Sequence, residues 1–351
     1  MVNAKNSILV FCFFLLISGC STGDDKFPDY REYSEIYSMN VDGTNLGKLT
    51  EDKKYITFMQ YLGKSDKILF VQNGTYIMNS DGSERQLLST KSINRNCKVT
   101  QDEKTIYFVE TKTVGLKVNS ILYTMLVHTG ELKEILNDSS EIHQMTISLD
   151  GSQLLYVSFS RSPFTCSLYL LNSVTLEKKK VKEWANDLYC SFPQFLQNGN
   201  SILFFEKIYS NRNDAFLRIM DLTDSSKTNI LDTVSSSYYE YAYPKLNSND
   251  EIFYTKNGIT VLNVNSNQKK SIPTLFLIDY DFINWSYDGT KVTSTENINT
   301  QLIIYSLNDA SLTKLKPDEG DINSDPYRYP FLNYNNSKIF FTIRFRYTVY
   351  I

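Results

Sequence analysis

The sequence predicts an all-β protein, a β-propeller built from four-stranded antiparallel blades. Three observations support this: a short phrase ending in a tight turn recurs along the chain, the 351 residues include 25 Tyr and 21 Phe, and long stretches of helix-favouring residues are absent. The clearest copy of the phrase is 282–292, where an apolar run ends in Asp288-Gly289. Asp-Gly between β-prone runs predicts a hairpin, because both central residues of a type I′ turn need positive φ.

Copies of this phrase predict seven inner hairpins. Their turns fall at Gly63, Asp102-Glu103, Asp150-Gly151, Asn198-Gly199, Asn249-Asp250, Asp288-Gly289 and Asn335-Asn336. A second, outer hairpin follows six of them, and an unpaired outer hairpin that turns at Asp42-Gly43 begins the repeat region. Four strands per unit at a period of roughly 40–50 residues is typical of a β-propeller.

Closure of the ring follows from the two incomplete ends of the repeat. An N-terminal outer hairpin and a C-terminal inner hairpin together make one blade, which removes the exposed sheet edges that invite aggregation. We therefore predict seven blades closed by the two terminal hairpins in one blade. Six or eight blades are the alternatives, since 345–351 could begin a further strand.

The N-terminal residues have the features of a secretory signal. Lys5 precedes an apolar run at 8–17 that is too short to span a bilayer. Residues 16–20, Leu-Ile-Ser-Gly-Cys, resemble the lipobox of bacterial lipoproteins, which implies cleavage before Cys20 and lipid on that cysteine. The alternative is an ordinary secretory signal that happens to contain a cysteine.

These features predict the domain organisation and the cellular location. We expect a signal peptide at 1–19, a lipidated cysteine with a flexible tether at 20–32, and a propeller at 33–351. The lipobox resemblance implies attachment to a membrane through Cys20 in the bacterial cell envelope, periplasmic or surface-exposed. Ser21 after the lipidated cysteine favours the outer membrane if the cell is Gram-negative.

Three phrases carry a resemblance to a known family. Residues 36–45, 76–83 and 284–291 resemble the TolB-type, WD40-like propeller repeat, with Tyr287 where that repeat usually has proline. The resemblance covers about residues 33–351 and implies the propeller fold in an extracytoplasmic setting. The separate α/β domain that precedes the propeller in TolB has no counterpart in this sequence, so the resemblance does not imply TolB's own partnership.

The strand order sorts the connections between strands into two faces. With strands lettered A to D within a blade, the A–B and C–D turns form one face, here called the turn face. The B–C and D–A connections form the other, here called the loop face. We expect long B–C loops in four blades, at 111–119, 160–165, 207–214 and 296–300.

Aromatic residues near the loop face are the candidate binding residues, because Trp and Tyr are enriched in protein-binding surfaces. They are Trp184, Tyr189, Tyr238, Tyr239, Tyr241, Tyr280, Tyr327 and Tyr329. The alternative is that these rings pack between blades. Cys166 and Cys190 map to the same face in neighbouring blades, where we hypothesise a disulfide, whereas Cys97 is expected to be a buried thiol.

Composition and motifs argue against several function classes. A net charge of −3 does not fit nucleic-acid binding. Two histidines, His128 and His143, cannot supply a metal site, and no G-x-S-x-G elbow is present, so we expect no metal, no cofactor and no catalytic residue. A pair of carboxylates among Asp279, Asp281, Asp321 and Asp325 could serve a glycosidase, but sequence spacing cannot place them across a channel.

The sequence therefore predicts a monomeric, membrane-anchored propeller lipoprotein that is not an enzyme. We expect it to act as an interaction module that binds a protein or another surface ligand. The alternative is a carbohydrate- or peptide-processing enzyme with its site in the propeller channel.

Overall fold

The architecture is described by a computed structural model. It describes residues 28–93, 97–114, 117–161, 164–185, 188–208, 214–235, 245–247, 249–255, 259–272, 278–296, 301–317 and 327–350, and within these ranges there are strands and no helix. The chain divides into two compact units. Glu32–Phe345 contains the sheets, and the described part of the other unit consists of the outer ends of the first and last strands.

The strands are grouped below by blade, in chain order. The chain starts in the closing blade with β1 (Pro28–Asn40) and β2 (Gly47–Lys48). Blade 1 has β3 (Phe58–Leu62), β4 (Lys67–Val71), β5 (Thr75–Asn79) and β6 (Gln86–Ser89). Blade 2 has β7 (Lys98–Val99), β8 (Thr105–Val114), β9 (Lys117–Leu126) and β10 (Leu132–Asp138). Blade 3 has β11 (Glu141–Ile147), β12 (Gln153–Arg161), β13 (Phe164–Asn172) and β14 (Lys178–Trp184).

The remaining strands complete the ring. Blade 4 has β15 (Leu188–Phe195), β16 (Ser201–Ile208), β17 (Asp214–Asp221) and β18 (Thr228–Ser235). Blade 5 has β19 (Lys245–Leu246), β20 (Glu251–Thr255), β21 (Ile259–Asn263) and β22 (Gln268–Ile272). Blade 6 has β23 (Ile278–Trp285), β24 (Lys291–Glu296), β25 (Leu302–Ser306) and β26 (Leu312–Leu315). The chain returns to the closing blade with β27 (Tyr327–Leu332) and β28 (Lys338–Tyr350).

These strands form seven four-stranded antiparallel sheets, which confirms the predicted seven-bladed propeller. In the closing blade the strand order is β2-β1-β28-β27, so β1 from the N-terminal part of the chain pairs with β28 from the C-terminal part. The predicted closure by two terminal hairpins is therefore confirmed. The strand sequences explain the sheets, because apolar and β-branched residues dominate the strands and turn-forming residues separate them.

Tight turns on the turn face follow one hydrogen-bonding pattern. In the turn after β5, Asp81 Oδ1 accepts a hydrogen bond from the Ser83 N–H at 2.9 Å, and Gly82 has a φ of +88° that favours glycine. Hydrogen bonds from Ser or Thr hydroxyls lower the carboxyl pKa of seven aspartates, which lie in six such turns. They are Asp42, Asp81, Asp102, Asp150, Asp221, Asp224 and Asp309.

The hydrophobic core lies between neighbouring blades. At the seam of blades 3 and 4, for example, Leu155, Val157 and Trp184 pack with Phe204 in one buried cluster. Comparable clusters join the other neighbouring blades around the ring. Burial of apolar area at these seams, at roughly 25 cal/mol per Å², is the main force that holds the blades together.

Buried acids add polar contacts between neighbouring blades. Asp138, at the end of β10, lies 2.6 Å from the Lys178 ammonium and 3.3 Å from the Tyr156 hydroxyl, both in blade 3. Lys178 also lies over the Tyr169 ring, 4.0 Å from its centroid. The same arrangement recurs between blades 4 and 5, with Asp232, Tyr254 and Lys269.

Two of the predicted B–C loops are strands instead. Strands β8 and β9 stay paired as far as Val114 and Lys117, and β12 and β13 as far as Arg161 and Phe164. The prediction of long loops at 111–119 and 160–165 is therefore wrong, because Thr, Val and Phe residues there extend the ladders. In the other two predicted loops, residues 207, 208, 214 and 296 belong to strands, whereas 209–213 and 297–300 lie outside the described residues.

Candidate functional site

Three of the aromatic residues predicted for binding are buried between blades. Trp184 is 3% exposed, and its indole N–H donates to Glu206 Oε2 at 2.8 Å. Tyr327 and Tyr329 are also buried, and their hydroxyls donate to the carbonyls of Pro317 and Thr57 respectively. These three rings therefore pack between blades, which is the alternative to binding, and they are not available at an exposed surface.

The other predicted aromatic residues are not brought together in an exposed patch by the part of the chain that the structure describes. Tyr189 is partly buried and packs edge-on against Phe159, with ring centroids 6.2 Å apart. Tyr280 lies in β23, but its side chain is outside the described residues. Three further tyrosines lie outside the described residues altogether, and these are Tyr238, Tyr239 and Tyr241. Binding through the loop face stays a prediction.

The hypothesised disulfide partners face the same seam but are not bonded to each other in the structure. The Cys190 N–H donates to Cys166 Sγ at 3.2 Å, and both residues are fully buried. Burial raises the pKa of the Cys166 thiol to about 12. Cys97 is buried, as expected. Lipidation of Cys20 concerns a residue outside the described ones.

One position of the repeat, just before the turn Asp or Asn of the inner hairpin, carries an exposed side chain in five blades. In blades 2 to 4 it is occupied by Gln101, Leu149 and Gln197, and in blade 6 and the closing blade by Tyr287 and Tyr334. All five side chains are exposed. Since A–B turns extend from the innermost strands, these residues surround the mouth of the channel. We call this set the channel rim.

The aromatic half of the channel rim is an exposed pair of tyrosines. Tyr287 and Tyr334 are 46% and 57% exposed, and their ring centroids lie 4.6 Å apart at an interplanar angle of 44°. The Asn336 amide donates to Asp288 Oδ2 at 2.8 Å and so joins the two turns. Gly63 leaves room for this pair, because a Cβ there would lie 2.9 Å from the Tyr287 ring.

The opposite half of the channel rim borders a polar groove of about 440 Å³. Three A–B turns, from blades 2, 3 and 4, form its walls. Among the described residues, the lining side chains are mainly amides and hydroxyls, with Asp150 as the one ionisable group and no Lys or Arg. We call it the amide groove, defined by Gln101, Leu149, Gln153, Gln197 and Asn200.

The channel wall carries two basic groups on neighbouring inner strands. Lys98 lies on β7 and His143 on β11, and solvent reaches both side chains. Burial nevertheless lowers the pKa of each, although Glu141 opposes this effect at His143. Desolvation by surrounding protein atoms disfavours the charged form of a basic group even where part of its side chain remains accessible to solvent. A lowered pKa means that each group binds its proton less tightly than the same group does in water.

Metal ligands, membrane-spanning helices and carboxylate pairs are three further features that bear on function. Within them no group of three or more His, Cys, Asp or Glu side chains could hold a metal ion. The same residues include no helix that is long and apolar enough to cross a membrane. Of the four candidate carboxylates, Asp279 and Asp281 lie on β23 with side chains outside the described set, and Asp321 and Asp325 lie outside it entirely.

Comparisons with known proteins show similarity of fold alone. No model of a known protein family matches the sequence, and no curated protein matches it. Among solved structures, the oligogalacturonate lyase of Vibrio parahaemolyticus is 11% identical, with a TM-score of 0.60 over 90% of this chain and 96% of that chain. An oligogalacturonate lyase in complex with manganese is 12% identical, with a TM-score of 0.59 over 80% of this chain and 82% of that chain.

TolB-like propellers are also among the similar structures. TolB from Acinetobacter baumannii is 15% identical, with a TM-score of 0.46 over 85% of this chain and 65% of that chain. The solved propellers that resemble this chain thus include both TolB and enzymes. At these identities the likeness concerns the fold and transfers neither activity nor partner.

The comparison overturns the prediction that the protein is not an enzyme. That prediction depended on the lack of a catalytic constellation recognisable in the sequence. Oligogalacturonate lyases, which are enzymes, have the same propeller architecture across most of this chain. The fold therefore gives no reason to exclude catalysis.

Proposed function

We propose that the protein is a lipid-anchored propeller of the bacterial cell envelope that binds a ligand at the channel rim of its turn face. The observation that carries the binding role is the exposed Tyr287–Tyr334 pair. Two large rings held side by side in water lose little conformational freedom on binding, and exposed aromatic clusters of this kind mark interaction sites. The lipobox resemblance at residues 16–20 supports the anchor.

Photo-crosslinking in intact cells tests the binding role. With a benzophenone amino acid in place of Tyr334, we expect a crosslinked product, because the side chain would lie against the bound ligand. Tyr287→Ala in the same chain should reduce that product at least severalfold, since it removes the neighbouring ring. Products are measured by gel mobility and mass spectrometry.

Val174 provides the matched control for this experiment. It is 83% exposed on the same face, but lies in an outer C–D turn rather than at the channel rim. Crosslinking from position 174 as efficient as from position 334 would show that contact is unspecific. A product at position 334 that is unaffected by Tyr287→Ala would contradict a site built on the pair.

The lipid anchor is tested by the Cys20→Ser variant. We expect the unmodified chain in the membrane fraction and the variant in the soluble fraction, because acyl chains on Cys20 supply the membrane affinity, at about 0.8 kcal/mol per buried CH₂. The mass of the N-terminal peptide gives an independent measurement of the lipid. Ser21→Ala is the control and should stay in the membrane fraction. Cys20→Ser that remains there would refute the anchor.

A second candidate function is an enzyme that processes an oligosaccharide or a peptide inside the channel. Lys98 and His143 favour it, because burial lowers the pKa of both groups and each could accept a proton from a substrate. Its test is mass spectrometry of neutral and acidic oligosaccharides and of peptides after incubation with the protein. Products that disappear with Lys98→Met would support it, and a complete absence of products would refute it.

A further inference from the structure

We propose that the amide groove binds an uncharged oligosaccharide. The inference rests on the proposed function, because it names the class of ligand for the same channel rim. The groove lies where three inner turns converge, and its volume of about 440 Å³ is in the range of small-molecule sites, roughly 300–1,000 Å³. Its contents must therefore satisfy the polar groups that the three turns present.

The groups left for a ligand are side-chain amides. Within the part of the chain that the structure describes, no hydrogen bond engages four of them, namely those of Gln101, Gln153, Gln197 and Asn200. The hydroxyls of Ser148 and Ser152, in contrast, both donate to Asp150. Each primary amide offers donors and an acceptor at one point. Sugar hydroxyls, which also donate and accept, are complementary to this set.

Backbone N–H groups at the groove already donate hydrogen bonds within their own turns, which argues against an extended peptide as the ligand. Ser148 N–H donates to the Gln153 carbonyl, and Leu196 N–H to the Ser201 carbonyl, each at 2.9 Å. Peptides that bind in extended form usually pair with a free strand edge. Each of these blades has two edge strands, the inner A strand and the outer D strand, whereas the groove is lined by the closed A–B turns. A ligand in the groove must use side chains.

The charge of the groove argues against an acidic ligand. Hydrogen bonds from Ser148 and Ser152 lower the pKa of Asp150, so the lining carries a negative charge at neutral pH and no Lys or Arg to balance it. An anionic sugar would meet repulsion there. Leu149, 48% exposed at the groove, adds an apolar surface suited to the C–H face of a sugar ring. An uncharged oligosaccharide meets all of these conditions.

Calorimetry with defined ligands tests the inference on the full-length protein in detergent. The probes are maltohexaose, cellohexaose, xylohexaose and chitohexaose, with hexagalacturonate as the charged counterpart and a Gly-Ser hexapeptide as the peptide counterpart. We expect at least one neutral hexasaccharide to bind and both counterparts to bind at least tenfold more weakly. Gln153→Ala combined with Gln197→Ala should weaken binding about tenfold, because two hydrogen bonds are lost.

Asn229→Ala is the matched control. Asn229 is an exposed amide in blade 4, like Gln197, but it lies on the outer strand β18, away from the groove. This variant should leave binding unchanged, and thermal melting should show all variants folded. Binding of none of the neutral probes, preferred binding of hexagalacturonate or of the peptide, or equal loss in Asn229→Ala would each overturn the inference. If no neutral probe binds but crosslinking from position 334 is still observed, the inference about the oligosaccharide fails and the proposed function stands. If that crosslinking is absent as well, the inference and the proposed function both fail.

Discussion

We expect the Gly130→Ala variant to lose about 3–5 kcal/mol of unfolding free energy. Gly130 lies in the C–D turn of blade 2 at a φ of +72°, which favours glycine. A Cβ at this position would collide with the backbone of Leu88 in the neighbouring blade, lying 2.8 Å from the carbonyl carbon. Since Leu88 belongs to β6, relief of the collision requires a strand of blade 1 to move. Chemical denaturation measures the loss.

Gly199→Ala separates the collision from the backbone strain. Gly199 has a similar φ of +67°, but a Cβ there meets nothing within 4 Å. We expect this variant to lose only about 1–2 kcal/mol, the cost of a non-glycine residue in the left-handed region. Equal losses in the two variants would show that close packing of blades 1 and 2 at Gly130 has no energetic importance.

The Asp138→Ala variant should lose about 2–3 kcal/mol of unfolding free energy. Asp138 is buried and accepts one hydrogen bond from Ser140, two residues along the chain, and one from Lys178 across the seam of blades 2 and 3. Removing it leaves the Lys178 ammonium against the rings of blade 3 without its carboxylate. The figure lies below that for a fully buried pair, because Lys178 remains partly exposed.

The contribution of Asp138 should depend on pH in a defined direction. Burial acts to raise the pKa of this carboxyl, but the hydrogen bonds from Lys178 and Ser140 outweigh it, so the pKa lies below its ordinary value of 3.8. The unfolded chain therefore takes up the proton first as the pH falls. The stabilisation is complete above the ordinary pKa and is lost as the pH falls through the lowered one.

Denaturation curves of Asp138→Asn and of the unmodified chain measure this effect between pH 7 and pH 2. The difference in unfolding free energy should be constant down to about pH 5 and shrink below about pH 4. Glu183→Ala is the control, because Glu183 and its ion-pair partner Lys180 are both exposed, and an exposed pair contributes little to stability. A difference that grows towards low pH would contradict the lowered pKa.

The fold was predictable because its signals are local. Turn pairs such as Asp150-Gly151 and Asp288-Gly289 mark each inner hairpin without reference to the rest of the chain. The lengths of the B–C hairpins were not predictable from the sequence. A run such as 111–114 fits a loop or a strand equally well until the strand that pairs with it is known. Strand pairing with β9 decides that case in favour of the strand.

The candidate site was harder to predict, because burial is decided between blades. Trp184 looks like a binding residue in isolation, but the neighbouring blade covers it and Glu206 binds its indole N–H. Tyr287 and Tyr334 were visible within the repeat itself, as the residues before two successive turns. An alignment of the repeat units on their inner turns places the channel-rim residues at one shared position, the residue before the turn Asp or Asn.

Closure of the ring by both parts of the chain has a consequence for biosynthesis. Strand β1 is synthesised early, but its sheet partner β28 begins almost 300 residues later, at Lys338. Until that partner is synthesised, β1 has an unpaired edge, and closing so long a loop is entropically costly and slow. The propeller must therefore complete its fold after the last strand has emerged, and in the interval β1 needs protection from pairing with other chains.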